Sequence, residues 1–282
     1  MKSHPTTTGP VLLLFFTMVY LLCTPQSFAQ LLDGDDFNSP EITVSKAHLQ
    51  YDVAGGETQS QTVEISNNTE VTQTFRVAYQ DFELSTEGEP RFMESGSSEH
   101  SLAPMLDISP EMIEVGPGKT AEVSITVSAA ENAESPGTAW GIVMIEQLEA
   151  DQAINEVETG LASTLAYGVW LYKNPPEAKD RQVDITNFIV GNKERNKGVF
   201  LKVKNKGNGI SICNAYVEIT NLTTGELILI EGKQYTILPG ARRTLLFELD
   251  QQLPKGSYSA LGVIDYENQE DLVATELEFK ID

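Results

Sequence analysis

The sequence contains few side chains from which a catalytic or metal site could be built. Its 282 residues include three histidines and two cysteines, and His48 and His100 lie in unrelated contexts. His100 follows three serines and Glu99, but a catalytic triad is defined by geometry rather than by nearness in a loop. The chain has no G-x-S-x-G, H-E-x-x-H, paired-cysteine or phosphate-binding glycine motif. We therefore expect a protein that is not an enzyme and that uses no metal and no cofactor.

The charge balance narrows the possible partners. The chain carries 41 Asp and Glu against 19 Lys and Arg, which is a formal net charge of −22. A polyanion repels other polyanions, so nucleic acids and anionic membrane surfaces are not expected as main partners. Apolar residues make up 40% of the chain, enough for a folded protein with a core. The remaining partner classes are proteins and cell-surface polysaccharides.

An apolar run near the N-terminus predicts export. The run spans Val11–Cys23 and is too short for a transmembrane helix, which needs about 20 residues, but it suits a signal peptide. Ser27 and Ala29 supply the small residues that precede a cleavage site. We expect a signal peptide over residues 1–29, no transmembrane anchor, and a periplasmic or extracellular, cell-surface location.

Period-2 alternation of apolar residues recurs along the rest of the chain. Examples are Val63 and Ile65, then Val123, Ile125 and Val127. Turn-forming pairs of Gly, Pro and Asn separate these segments, and no segment shows a convincing helical stripe. Short strands at this spacing are typical of β-sandwiches. The predicted fold is all-β, with two immunoglobulin-like β-sandwich domains in tandem.

A proline pair marks the predicted boundary between the domains. Pro175 and Pro176 cannot join a central strand ladder, and the charge changes at the same place. Residues 30–175 carry a net charge of −20, whereas residues 176–282 carry −3. The predicted organisation is a signal peptide (1–29), a flexible acidic tail (30–39), a first domain (40–175), a linker (176–180) and a second immunoglobulin- or fibronectin-like domain (181–282).

Several segments of the first domain occur in a familiar order. They are Ile42–Tyr51, Thr62–Asn68, Met105–Pro110 with Ile113–Gly118, Trp140–Glu146 and Leu165–Asn174. This series resembles the N-terminal immunoglobulin-like domain of PapD-like periplasmic pilus chaperones. The second domain is similar only to a generic immunoglobulin or fibronectin-like module.

The resemblance implies a chaperone that lends an edge strand to an exported β-sandwich subunit lacking one strand. The lent strand satisfies the backbone of the subunit, and its alternating apolar side chains fill the open groove. An ordinary edge strand protected by charges is the alternative interpretation. The candidate donor residues are Val157, Thr159, Leu161, Ser163 and Leu165.

The resemblance also implies a cleft that holds the terminal carboxylate of the subunit. Two basic residues do this in the family. His48 falls at the position of the arginine, with Lys46 two residues earlier on the same strand face, and Tyr167 takes the place of the lysine. Exposed polar strand positions without a binding role are the alternative.

A basic run in the second domain stands out in this acidic chain. It consists of Lys193, Arg195, Lys197, Lys202, Lys204 and Lys206. A solvated strand face is one interpretation, and contact with an acidic partner, a wall polymer or the first domain is the other.

Two functions are compatible with these features of the sequence. The favoured one is a periplasmic chaperone-like protein that binds pilus or fimbrial subunits by edge-strand donation and an interdomain cleft. The other is a secreted or cell-surface immunoglobulin-like binding or adhesion module that contacts wall polymers or surface proteins without an assembly role.

Overall fold

The computed structural model describes residues 41–130, 137–148, 165–176, 178, 182–193, 196–249, 253–266 and 272–281. The predicted signal peptide and acidic tail lie outside these ranges, as do the first four donor candidates, Val157, Thr159, Leu161 and Ser163. Pro40–Asp282 forms one compact unit. Among the described residues, the regular elements are strands and one short 3₁₀ turn at Ala103–Met105.

The first sandwich consists of two sheets built from the first ten strands. One sheet has the order β1-β3-β8-β6; the other has the order β2-β10-β9-β4-β5, with β7 also paired to β4. The strands are β1 (Ile42–Val44), β2 (His48–Tyr51), β3 (Thr58–Asn67), β4 (Gln73–Leu84), β5 (Pro90–Met93), β6 (Leu106–Ser109), β7 (Met112–Val115), β8 (Lys119–Ser128), β9 (Ala139–Leu148) and β10 (Ala166–Lys173).

Alternating side chains of these strands form the core between the two sheets. Val63 of β3 lies opposite Val123 of the adjacent strand β8. Ile65 and Ile125 lie on the same inner face, and all four side chains are fully buried. Successive residues of a strand point to opposite faces, so the intervening Glu64 and Glu122 face solvent. Polar residues at alternate positions thus keep the outer face of this sheet soluble while the inner face closes the core.

The second sandwich pairs a three-stranded sheet with a four-stranded one. Their orders are β11-β12-β15 and β14-β13-β16-β17. The strands are β11 (Val183–Lys193), β12 (Asn196–Asn205), β13 (Ser211–Asn221), β14 (Leu227–Ile237), β15 (Arg242–Glu248), β16 (Gly256–Tyr266) and β17 (Leu272–Ile281). The predicted fold class, all-β with two β-sandwiches in tandem, is confirmed.

Apolar side chains from both sandwiches form a buried cluster where the two sandwiches meet. Phe82, Trp140 and Tyr172 of the first pack with Ile210 and Leu238 of the second, and all five are buried.

Two side-chain hydrogen bonds fix the alignment across this cluster. The amide of Ile210 donates to Asn174 Oδ1 over 2.9 Å, and Thr138 Oγ1 donates to the carbonyl of Asn208 over 2.6 Å. Because buried polar groups are paired and apolar surface is covered, this junction holds the two sandwiches in one arrangement.

Candidate functional site

A split in the first strand leaves part of β10 at a free sheet edge. β1 pairs antiparallel with β3 in one sheet, whereas β2 pairs parallel with β10 in the other. The chain changes sheets at Ser45–Ala47, so β2 covers only Trp170–Lys173 of β10. The preceding residues Ala166–Val169 pair with β9 on one side and with no described strand on the other.

Hydrogen bonding shows which backbone groups point to the free edge. The Leu165 carbonyl accepts from the amide of Gln147 in β9, whereas the Trp170 amide donates away from β9, to the carbonyl of Ala47. The amide and carbonyl groups of successive residues point to alternate sides of a strand. Ala166 and Gly168 therefore direct these groups away from β9, to the free edge. None of these groups has a backbone partner among the described residues. An extended chain could add here as a new strand.

Apolar side chains lie beside this edge. Leu165, the one donor candidate in the described ranges, is 57% exposed at the start of the free segment. On the sheet face that meets the second sandwich, Trp170 is half-buried, with Phe82 edge-on at 4.8 Å between ring centroids. Phe92 lies 6.3 Å from Trp170 and is 44% exposed. Free backbone and uncovered aromatic surface therefore occur together.

His48 lies at the same place, but with a different neighbour from the one expected. In the parallel register of β2 and β10, His48 is opposite Trp170, and its ring stacks on Tyr172 at 6.1 Å and 14° between planes. Burial lowers the pKa of the His48 imidazole from its ordinary value of 6.5. The site near neutral pH is therefore aromatic and largely uncharged at this residue.

The other two predicted cleft residues are placed differently. Tyr167 packs with Val169 and Leu171 against the core, on the opposite face of β10 from Trp170. Burial and the negative charge of Glu41 raise the pKa of Tyr167. Lys46 is exposed in the segment where the chain changes sheets. The structure thus brings Lys46 and His48 to one end of the free edge and leaves Tyr167 in the core layer.

The sequence reasoning missed Trp170. Only the pairing of β2 with β10 places Trp170 at the site, and local sequence patterns do not reveal that pairing. Lys173, the lysine of β10, is fully buried and donates from Nζ to the carbonyl of Gly137 over 3.2 Å, so it is a structural residue of the sandwich.

The basic run divides into three parts. Arg195 lies outside the described residues, and only the strand positions of Lys193 and Lys197 are described, at the end of the β11–β12 hairpin. Lys206 forms an ion pair with Asp184. Lys202 and Lys204 project from β12 on the outer face of the three-stranded sheet.

The described residues contain no cluster of three or more His, Cys, Asp or Glu side chains able to hold a metal ion. Nor does the described chain include a helix long and apolar enough to cross a membrane.

Comparison with known proteins gives matches among solved structures only, since no family model and no curated protein matches the chain. A chain of the CsuC–CsuE chaperone–tip adhesion subunit complex of Acinetobacter baumannii matches at 12% identity and a TM-score of 0.46, over 83% of this chain and 97% of that one. The E. coli chaperone DraB matches at 14% identity and a TM-score of 0.43, over 84% of this chain and 98% of that one. The CupB2 chaperone of Pseudomonas aeruginosa matches at 11% identity and a TM-score of 0.41, over 85% of this chain and 100% of that one.

Most of the similar solved structures are PapD-like fimbrial chaperones. The resemblance predicted from the sequence is thus also found among solved structures. The identities of these chaperones to the chain lie between 10% and 14%.

Proposed function

We propose that this protein is an exported, chaperone-like protein that holds a β-sandwich subunit of a surface structure, such as a pilus or fimbria, by lending it the free edge of β10. The observation that carries the proposal is the outward-facing backbone of Ala166 and Gly168, beside the half-buried ring of Trp170. Main-chain hydrogen bonds supply affinity in strand addition, and neighbouring apolar surface supplies specificity.

The physical gain for both partners is the removal of an exposed edge. An unpaired strand edge beside apolar side chains invites aggregation, and soluble proteins normally cover or charge such edges. Here the described residues leave the edge open and place Leu165, which is exposed, at the start of the free segment. A subunit that lacks one strand has the complementary defect, an open groove with unpaired backbone and apolar walls. Pairing of the β10 edge with this groove covers the exposed backbone and apolar surface of both proteins.

A pull-down from the native cell envelope tests this proposal. The full chain with a C-terminal tag is cross-linked in cells, and soluble and surface fractions are analysed separately. We expect one small exported β-sandwich protein near equal stoichiometry in the soluble fraction. Recovery only from the surface fraction with polysaccharide, or without a stoichiometric protein, would contradict the chaperone role and favour the adhesion module.

Within this proposal, Lys46 and His48 bind the terminal carboxylate of the subunit. Since burial lowers the pKa of His48, this side chain becomes predominantly cationic only at a pH below its ordinary pKa of 6.5. A cationic imidazole attracts a carboxylate, and a neutral one cannot form a salt bridge. Carboxylate binding at His48 therefore strengthens on acidification.

This predicts a pH dependence of the captured complex. After capture, we expect the wild type to retain more partner in a wash at pH 5.5 than at pH 7.5, at least about twofold, because a charge-assisted contact is worth about 0.5–1 kcal/mol at a partly exposed site. His48→Gln is expected to retain equal amounts at both pH values. The same pH response in both proteins would remove His48 from the carboxylate site, and retention can be followed by quantitative mass spectrometry.

A further inference from the structure

A group of polar and cationic side chains lies away from the free edge of β10, where the first sandwich contacts the three-stranded sheet of the second. The β4–β5 turn rests on β15, with the Thr244 amide donating to the Thr86 carbonyl over 2.6 Å. Gly88, at φ +91°, lies against the Arg243 guanidinium so closely that a Cβ there would be 2.3 Å from Nη2. Only glycine satisfies both the backbone angle and this contact. The turn is therefore firmly seated.

A cavity of about 460 Å³ opens beside this contact. Four cationic side chains line it, together with three threonines and a single carboxylate. The polar residues concerned are Thr86, Glu87, Thr186, Lys202, Lys204, Arg242, Arg243 and Thr244. This volume is in the range of small-molecule sites, about 300–1,000 Å³.

Arg243 donates to the carbonyl of Thr236. The other three cations, Lys202, Lys204 and Arg242, have no ion-pair partner in the part of the chain that the structure describes. Lys204 stands directly opposite Arg242 in the pairing of β12 with β15, and like charges in that position destabilise a sheet. Asp184 is opposite Lys204 on the other side, but its carboxylate pairs with Lys206. The sheet thus concentrates positive charge around a cavity instead of dispersing it.

We propose that this cavity binds a small molecule carrying a phosphate or sulfate group. Two lysines and an arginine match a doubly charged oxyanion, and the hydroxyl of Thr244 can donate to one of its remaining oxygens. A long polyanion is disfavoured, because it would extend from the cavity over a protein with a net charge of −22. A small oxyanion stays within a Debye length, about 8 Å, of the three cations.

Thermal unfolding with inorganic phosphate, inorganic sulfate and glucose 6-phosphate tests the site, with chloride matching the ionic strength. We expect each to raise the Tm of the wild type along a saturating curve. Tighter binding of glucose 6-phosphate than of phosphate would show that the group is recognised on a larger molecule, whereas equal binding would assign the site to the free ion.

Matched double variants separate site binding from general salt effects. Lys202→Gln with Lys204→Gln should weaken binding at least tenfold, while Lys233→Gln with Lys255→Gln makes the same charge change at exposed positions away from the cavity and should bind like the wild type. Arg242→Gln provides an independent reading if the first variant folds poorly. A linear, non-saturating rise of Tm, or equal responses of the two double variants, would overturn the proposal, because sulfate and phosphate stabilise proteins non-specifically in that way.

Discussion

Replacing Ala166 with proline is expected to reduce recovery of the subunit at least tenfold in the cross-linked pull-down. The Ala166 amide points to the free edge of β10, so proline removes a donor that an added strand needs and places its ring in the path of that strand. Loss of about one hydrogen bond and obstruction of the neighbouring ones easily exceeds 1.4 kcal/mol, which is tenfold in affinity.

The same substitution is expected to change the free energy of unfolding by less than about 1 kcal/mol. The Ala166 amide has no backbone partner among the described residues, and proline is tolerated on an edge strand when its nitrogen faces outward. Ala166→Val is the matched control, because valine retains the amide and favours a strand. If both variants recover the subunit equally well, strand addition at this edge is wrong.

The largest loss of stability is expected from Gly232→Val in the second sandwich. A register shift between Asn214 and Tyr216 places Gly232 of β14 against β13. A Cβ at Gly232 would lie 1.8 Å from the carbonyl oxygen of Ala215 and 2.8 Å from the ring of Phe247. The backbone cannot give way without opening the sheet, so we expect destabilisation of about 3 kcal/mol or more.

Gly191→Val in β11 is the control for this variant, since no atom lies within 4 Å of a Cβ at Gly191. Its unfolding free energy should stay within about 0.5 kcal/mol of the wild type. Urea unfolding followed by circular dichroism measures both variants. Both tryptophans, Trp140 and Trp170, lie in the first sandwich, so their fluorescence reports that half separately. Equal midpoints for the two variants would contradict the steric argument.

The core of each sandwich could be predicted from the sequence because strand alternation is a local property. Val63, Ile65, Val123 and Ile125 were assigned to one face from their spacing, and all four are buried. Cys213 follows the same alternation with Ala215 and Val217 in β13 and is buried in the second core, where burial raises the pKa of its thiol to about 12. A period of two follows from the strand backbone itself and needs no knowledge of the neighbouring strands.

The candidate site could be predicted only in part, because it depends on pairing between distant segments. His48 and Leu165 were named from the sequence, and both lie at or beside the β10 edge. Trp170 was not named, although it is the residue opposite His48. A parallel register cannot be read from either strand alone, and a small shift in it would have put another residue there.

Sequence alone therefore determined the all-β class, the two sandwiches, the identity of core positions and the strong acidity of the first half. Tertiary structure decided that the first strand changes sheets, that Ala166 and Gly168 keep outward-facing backbone groups, and that Tyr167 belongs to the core layer. It also decided that Lys202, Lys204 and Arg242 meet the Thr86 turn around one cavity. The physical reason is the same in each case. Composition and periodicity act within a segment, whereas edges, registers and cavities exist only once separate segments have paired.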